Sequence, residues 1–200
     1  MKKLLILIAA AFISVNASAQ IYLGAKAGVA ASWTPKTIIV GNETIVPHNG
    51  FFGGATFGYD FSQTFCVESG IYYSNKGHSD RRPEVGSFSR NLHYLLVPVM
   101  GGLRLGEGRF SLLVGPEFGY LMGCKVREGK IKYDDLEDMN RFNILIAGEL
   151  HYMFLDNLGA MIRVDSGLNR NFKNEGLLEK DKATNLSVSI GLVYNFEFDN

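Results

Sequence analysis

The feature that most limits what this chain can fold into is a regular exchange of long and short connections between eight segments, each alternating with a period of two. Reading for apolar residues at every second position predicts strands over about residues 21–33, 51–61, 65–76, 92–105, 110–124, 142–154, 158–169 and 185–198. The second, fourth and sixth connections are tight, at 62–64, 106–109 and 155–157. The first, third, fifth and seventh are long and polar, at 34–50, 77–91, 125–141 and 170–184. A soluble barrel has no reason to collect its long loops at one end. An outer-membrane barrel does, with an even number of strands, short periplasmic turns and long extracellular loops.

The two faces of each segment sharpen this reading. One parity is apolar and carries no charge: Leu23, Ala25, Ala27 and Val29 in the first segment, Leu112 and Val114 in the fifth, Ile162 and Val164 in the seventh, Val188, Ile190 and Leu192 in the last. A lipid-facing surface demands this, because an Arg or Lys at the bilayer midplane costs roughly 2–4 kcal/mol. Aromatic residues gather at the ends: Phe61, Phe65, Phe110, Tyr152, Phe154 and Phe196 toward the short turns, Trp33, Phe51, Tyr73, Tyr120 and Phe142 toward the long loops. Two interfacial girdles have this form.

The opposite parity holds the charges. Lys26, Lys76, Arg104 and Arg163 face Glu68, Glu117, Glu149 and Asp165, four cations against four anions, with His151 beside Glu149. Eight strands enclose a bore just wide enough for side chains to fill, and buried charges must be paired and hydrogen-bonded. The expectation is a plugged, salt-bridged lumen. Parity alone does not say which face is inside, since a lipocalin-like soluble barrel puts its apolar face inward. Loop segregation, terminal aromatics and charge balance favour the membrane reading.

The first nineteen residues read as an address. Met1-Lys2-Lys3 is a basic start, residues 4–13 are an unbroken apolar run, and Ala17-Ser18-Ala19 is an A-x-A cleavage site. The run is too short to cross a membrane as a helix. The expected organisation is a cleaved signal peptide at 1–19 and one barrel domain at 20–200, sited in the cell outer membrane. Twenty basic against twenty acidic residues leave no electrostatic case for nucleic acid.

In order along the chain, Gly24-Ala25-Lys26-Ala27-Gly28, Glu68-Ser69-Gly70-Ile71-Tyr72-Tyr73-Ser74-Asn75-Lys76-Gly77, Tyr94-Leu95-Leu96-Val97-Pro98, Gly115-Pro116 with Tyr120-Leu121, and Tyr194-Asn195-Phe196 resemble the PorT-like outer-membrane barrels of Bacteroidetes. The resemblance covers nearly all of the mature chain and implies fold and location, not activity. Leu96 stands where the family often carries a glutamate.

Other residues were weighed for chemistry. His78-Ser79-Asp80 are adjacent, whereas triad members converge from separate segments. His93 lies on the outward parity near the long-loop end, but no partner serine or oxyanion donor can be picked out, so no catalytic residue is assigned. Asp134, Asp135, Glu137 and Asp138 lack the spacing of a calcium loop; no metal or cofactor is expected. Arg81, Arg82 and Arg90 make the second long connection basic, suited to lipopolysaccharide phosphates. Cys66 and Cys124 fall at opposite ends of the barrel, beyond bridging distance, and are expected as free thiols. Pro98 and Pro116 each remove a ladder donor, so a bulge or weakened pairing is expected in their hairpin. The function that fits is a structural or surface-interaction barrel contacting outer-membrane lipid and a lipopolysaccharide or protein partner. A closed sheet has no edge to drive association, so a monomer is expected. The alternatives are a lipid-modifying enzyme, a narrow porin and a soluble ligand-binding barrel.

Overall fold

A computed structural model describes residues 20–33, 44–82, 86–129, 131–134, 136, 139–169 and 186–196. Within them every regular element is a strand: β1 (Gln20–Trp33), β2 (Thr44–Asp60), β3 (Phe65–Arg82), β4 (Gly86–Leu105), β5 (Phe110–Glu128), β6 (Ile131–Asp134), β7 (Phe142–Met153), β8 (Leu158–Gly167) and β9 (Leu186–Phe196). Every pairing is antiparallel, β9 pairs back onto β1, and β5 pairs with β4, β6 and β7. Eight strands close the ring; β6 lies against the far end of β5, above β7. The chain is therefore the expected eight-stranded antiparallel barrel, with one additional short strand.

The alternating burial decides which face is inside. Along β7 and β8 exposed and buried residues take turns, and the exposed ones are apolar. Leu112, Ile162 and Leu192 are 50%, 51% and 54% exposed, whereas Lys26, Glu68, Glu149 and Asp165 are buried. An apolar exterior around a charged interior is the inverse of a soluble barrel and the form a lipid environment selects. Aromatic pairs mark both ends of the wall. Phe110–Tyr152 and Tyr194–Phe196 lie toward the short turns, and Phe51–Tyr73 and Phe118–Phe142 toward the long connections.

The tight turns form where expected. Ser62 accepts the Thr64 and Phe65 amides through its hydroxyl. Gly106, Glu107 and Gly108 all have positive φ, so a left-handed turn carries one non-glycine residue.

At the other end the structure departs from expectation. β2 starts at Thr44, β3 continues to Arg82, β4 starts at Gly86 and β5 runs to Glu128. Most of the segment read as a loop over 77–91 is a hairpin, paired from Gly77↔Asn91 to Arg82↔Gly86. Backbone pairing persists there although the period-two alternation of apolar residues has stopped. The pairing between β4 and β5 is interrupted between Pro98↔Glu117 and Gly101↔Val114, as two missing donors require. Pro98 also interrupts β3 against β4, where the Ser69 hydroxyl donates to its carbonyl at 2.7 Å. The register shift of this hairpin lies elsewhere, between His93 and Tyr94.

Candidate functional site

Inside the barrel, strand parity carries β1, β3, β5, β7 and β8 side chains to a common axis, and the charges interlock there. Lys26 bonds Glu68 and reaches Glu149 Oε2 at 2.6 Å. Arg163 bridges Glu149 and Glu117 through its two terminal nitrogens, and its Nε stands 3.6 Å from Asp165. Lys76 bonds Asp165. His151 Nε2 lies 2.7 Å from Glu149 Oε2. Lys26 is 1% exposed and Glu117 0%, so these ions stand outside bulk water. Buried charge of this kind persists only when paired and hydrogen-bonded.

Arg104 is the one member of the predicted set that stands apart. It pairs with Asp60 at 2.8 Å near the short-turn end and lies over the Tyr22 ring. The central cluster thus holds four carboxylates against Lys26, Lys76, Arg163 and the His151 imidazole. Tyr22 joins it by donating its hydroxyl to Glu68 at 3.1 Å. Sequence reading missed Tyr22 and Asp60, although each continues the inward parity of its strand by one step, before Gly24 and after Gly58.

The other half of the interior is apolar. Tyr72, Leu92, Tyr94, Leu96, Leu121 and Cys124 form one buried cluster, and Cys66, Met100, Leu113 and Ala147 a second. Met139 and Leu136, from the segment between β6 and β7, fold onto the first cluster. β4 is apolar on both faces, so its inward side carried no alternation to read. Leu96 is part of this packing and not of the ionic cluster.

The remaining candidates are distributed over the walls. The leader at 1–19 lies outside the described residues, as do Asp135, Glu137, Asp138 and the side chains of His78, Ser79, Asp80, Arg81 and Arg82. Arg90 sits on the lumen-side parity, opposite Val126, while Lys125 and Arg127 are exposed on the outward face of β5. On the outer wall, the Tyr73 hydroxyl is 2.5 Å from His93 Nδ1. Cys66 and Cys124 are buried and form no disulfide. Among the described residues, no three His, Cys, Asp or Glu group to hold a metal ion.

No curated protein matches the chain in sequence. Among solved structures, the attachment invasion locus protein Ail of Yersinia pestis superposes with a TM-score of 0.51 at 14% identity, over 88% of this chain and 98% of that one. Neisserial surface protein A superposes with a TM-score of 0.57 at 12% identity, over 90% of this chain and 99% of that one. At these identities the likeness is one of fold. The model of the outer membrane protein beta-barrel domain family matches residues 15–173. A closed barrel with a charged interior and an apolar exterior, matched by that family over most of its length, belongs to the outer membrane protein beta-barrel domain family and resides in the outer membrane.

Proposed function

We propose that this small outer-membrane barrel is sealed, and that it serves a structural or surface-interaction role through the end bearing its long connections. The observation that carries the first part is the filling of the bore. An ionic cluster on one side and an apolar cluster on the other are both buried, with Met100 and Glu117 at 0% exposure. Eight strands leave no further room. Planar-bilayer recording tests this: the purified chain is expected to add no stepwise conductance, and steady single-channel steps would make it a narrow porin instead.

The second part rests on the strands that outrun the membrane. A spanning strand needs roughly 9–11 residues, whereas β3 has 18, β4 has 20 and β5 has 19. Their paired extensions make a rigid wall outside the bilayer, where no catalytic constellation is assigned. We assign lipopolysaccharide phosphates as the partner of its cations, Arg81 and Arg82 at the hairpin end, Lys125 and Arg127 on β5 and Arg90 on the lumen side. Binding of the full chain to immobilised lipopolysaccharide should weaken with salt and with charge removal at these positions. Salt-independent binding would exclude the phosphate contact. We further place the chain among the PorT-like barrels, on the Glu68–Gly77 stretch quoted above, with cleavage before Gln20.

A further inference from the structure

β2 shifts register against β3 between Pro47 and Phe52. The same residues stay paired with β1, from Ser32↔His48 to Val29↔Phe51. β2 therefore parts from β3 over one short stretch without leaving the wall. Ser32 satisfies the edge of β3 left open there: its hydroxyl donates to the Gly77 carbonyl at 3.1 Å and accepts the Gly77 amide at 2.9 Å. The outer face of this dislocation is a concavity of about 870 Å³.

Its two zones differ in chemistry. The floor is apolar, built from Val29, Ala31, Val188 and Ile190, with Phe51 beside it. The rim toward the long connections carries His48, Asn49, Asn75 and Asn91, and among the described lining residues there is no Lys, Arg, Asp or Glu. His48 Nε2 and Asn75 Oδ1 lie 3.1 Å apart. Asn91 Oδ1 is enclosed and has no hydrogen-bond partner. The rim lies just beyond the Phe51–Tyr73 contact of the aromatic girdle, since Asn75 follows Tyr73 by two positions on the same face. In an outer-membrane barrel that is the level at which acyl chains give way to headgroups.

We propose that this concavity seats one outer-leaflet glycolipid, its acyl chain on the Val29–Ile190 floor and its sugar hydroxyls on Asn49, Asn75 and Asn91. A side-chain amide both donates and accepts, as a sugar hydroxyl does. A phosphate only accepts and is matched by Arg or Lys, neither of which is among the described lining residues. The unpartnered Asn91 oxygen needs a donor, and a hydroxyl supplies it where a phosphodiester does not. The seat rests neither on the closed bore nor on the cations of the β3–β5 wall; Lys125, opposite Asn91 on β5, is not among the described residues that line it.

Native mass spectrometry of the full chain, expressed with its leader and extracted in mild detergent, tests the seat. The probes are a rough-type lipopolysaccharide and phosphatidylcholine, whose headgroup has no hydrogen-bond donor, at equal concentration. One glycolipid per barrel should be retained in preference to the phospholipid. Ala31→Trp, which fills the floor, and Asn91→Leu, which removes the acceptor, should each cut retention at least tenfold. Asn91→Asp and, on the far wall, Leu112→Trp should retain it. Heat-modified gel migration verifies that each variant is folded, and two independent seat variants keep the test open if one fails to fold. Equal retention of phosphatidylcholine, a second copy of the chain in place of lipid, or unchanged retention in a folded Ala31→Trp or Asn91→Leu barrel would each overturn the proposal.

Discussion

Lys26 on β1 and Glu149 on β7 meet across the bore at 2.6 Å, although β9 and β8 separate their strands in the wall. A bond between non-neighbouring strands ties the barrel transversely, which no ladder hydrogen bond does. Glu149 also takes Arg163 and His151, so it is the hub of the cluster. Glu149→Leu should leave two buried cations short of partners and cost about 3–5 kcal/mol, read as a lower guanidinium midpoint in micelles. Adding Lys26→Met should recover part of the loss, because neighbouring members of one network do not add. An unchanged midpoint in the single variant would sink the hub assignment.

Gly50 and Gly101 make a matched pair of tests. A Cβ at Gly50 would stand 1.9 Å from the Asn75 carbonyl oxygen, a backbone atom with no rotamer to retreat into, whereas a Cβ at Gly101 meets nothing within 4 Å. Gly50→Ala should therefore destabilise the barrel by about 1–3 kcal/mol, the usual cost of overpacking. Gly101→Ala should be neutral or raise stability by about 0.5–1 kcal/mol, the intrinsic strand penalty of glycine. Equal effects in a side-by-side unfolding series would contradict this geometry.

Ser32 holds both backbone polar groups of Gly77. Removing its hydroxyl in Ser32→Ala leaves a donor and an acceptor unsatisfied, at about 1–3 kcal/mol. Deuterium exchange should accelerate at the Gly77 amide, with little change at the short-turn end of β3. Uniform acceleration along the strand would mean general loosening instead.

Cys66 pairs with Gly102 at the short-turn end and Cys124 with Leu92 near the opposite end. Both are buried and neither forms a disulfide. A maleimide should label neither in the folded barrel and both after boiling, and reductant should leave gel migration unchanged. Fast labelling of Cys124 in the native state would place it outside the apolar cluster assigned to it.

Glu107 sits at φ 58° between two glycines. A left-handed conformation costs an ordinary residue roughly 1–2 kcal/mol, so Glu107→Gly or Glu107→Asn should raise the unfolding midpoint. A lower midpoint for both would show that the glutamate side chain offsets the backbone cost.

What was legible in the sequence follows the physics of the solvent on each side of a strand. β7 and β8 separate lipid from a charged bore, so Ile162 and Arg163 differ as sharply as neighbours can, and their faces were readable. β4 separates lipid from an apolar packing, and Leu95 and Leu96 look alike; its inner half was therefore silent. Over residues 77–91 the alternation of apolar and polar residues stops, and a paired hairpin there reads as loop. Parity separated the charged face from the apolar one but did not assign the pairs, and Arg104 had a nearer carboxylate in Asp60. Partners across the bore depend on strand tilt and stagger, which one sequence does not state. The dislocation at residues 48–51 was invisible for the same reason, being a relation between β2 and β3 and not a property of either.

The seam between β1 and β9 has a consequence for how such a molecule is made. β1 leads the chain, yet the strand that completes its hydrogen bonding, from Leu23↔Phe196 to Trp33↔Leu186, is the ninth to be delivered. Until then one edge of β1 is an open template, and Lys26 has no Glu149 opposite. Sealing the wall and neutralising the bore are thus one late event. The nascent chain must be kept from pairing with strangers for almost the whole of its synthesis and export.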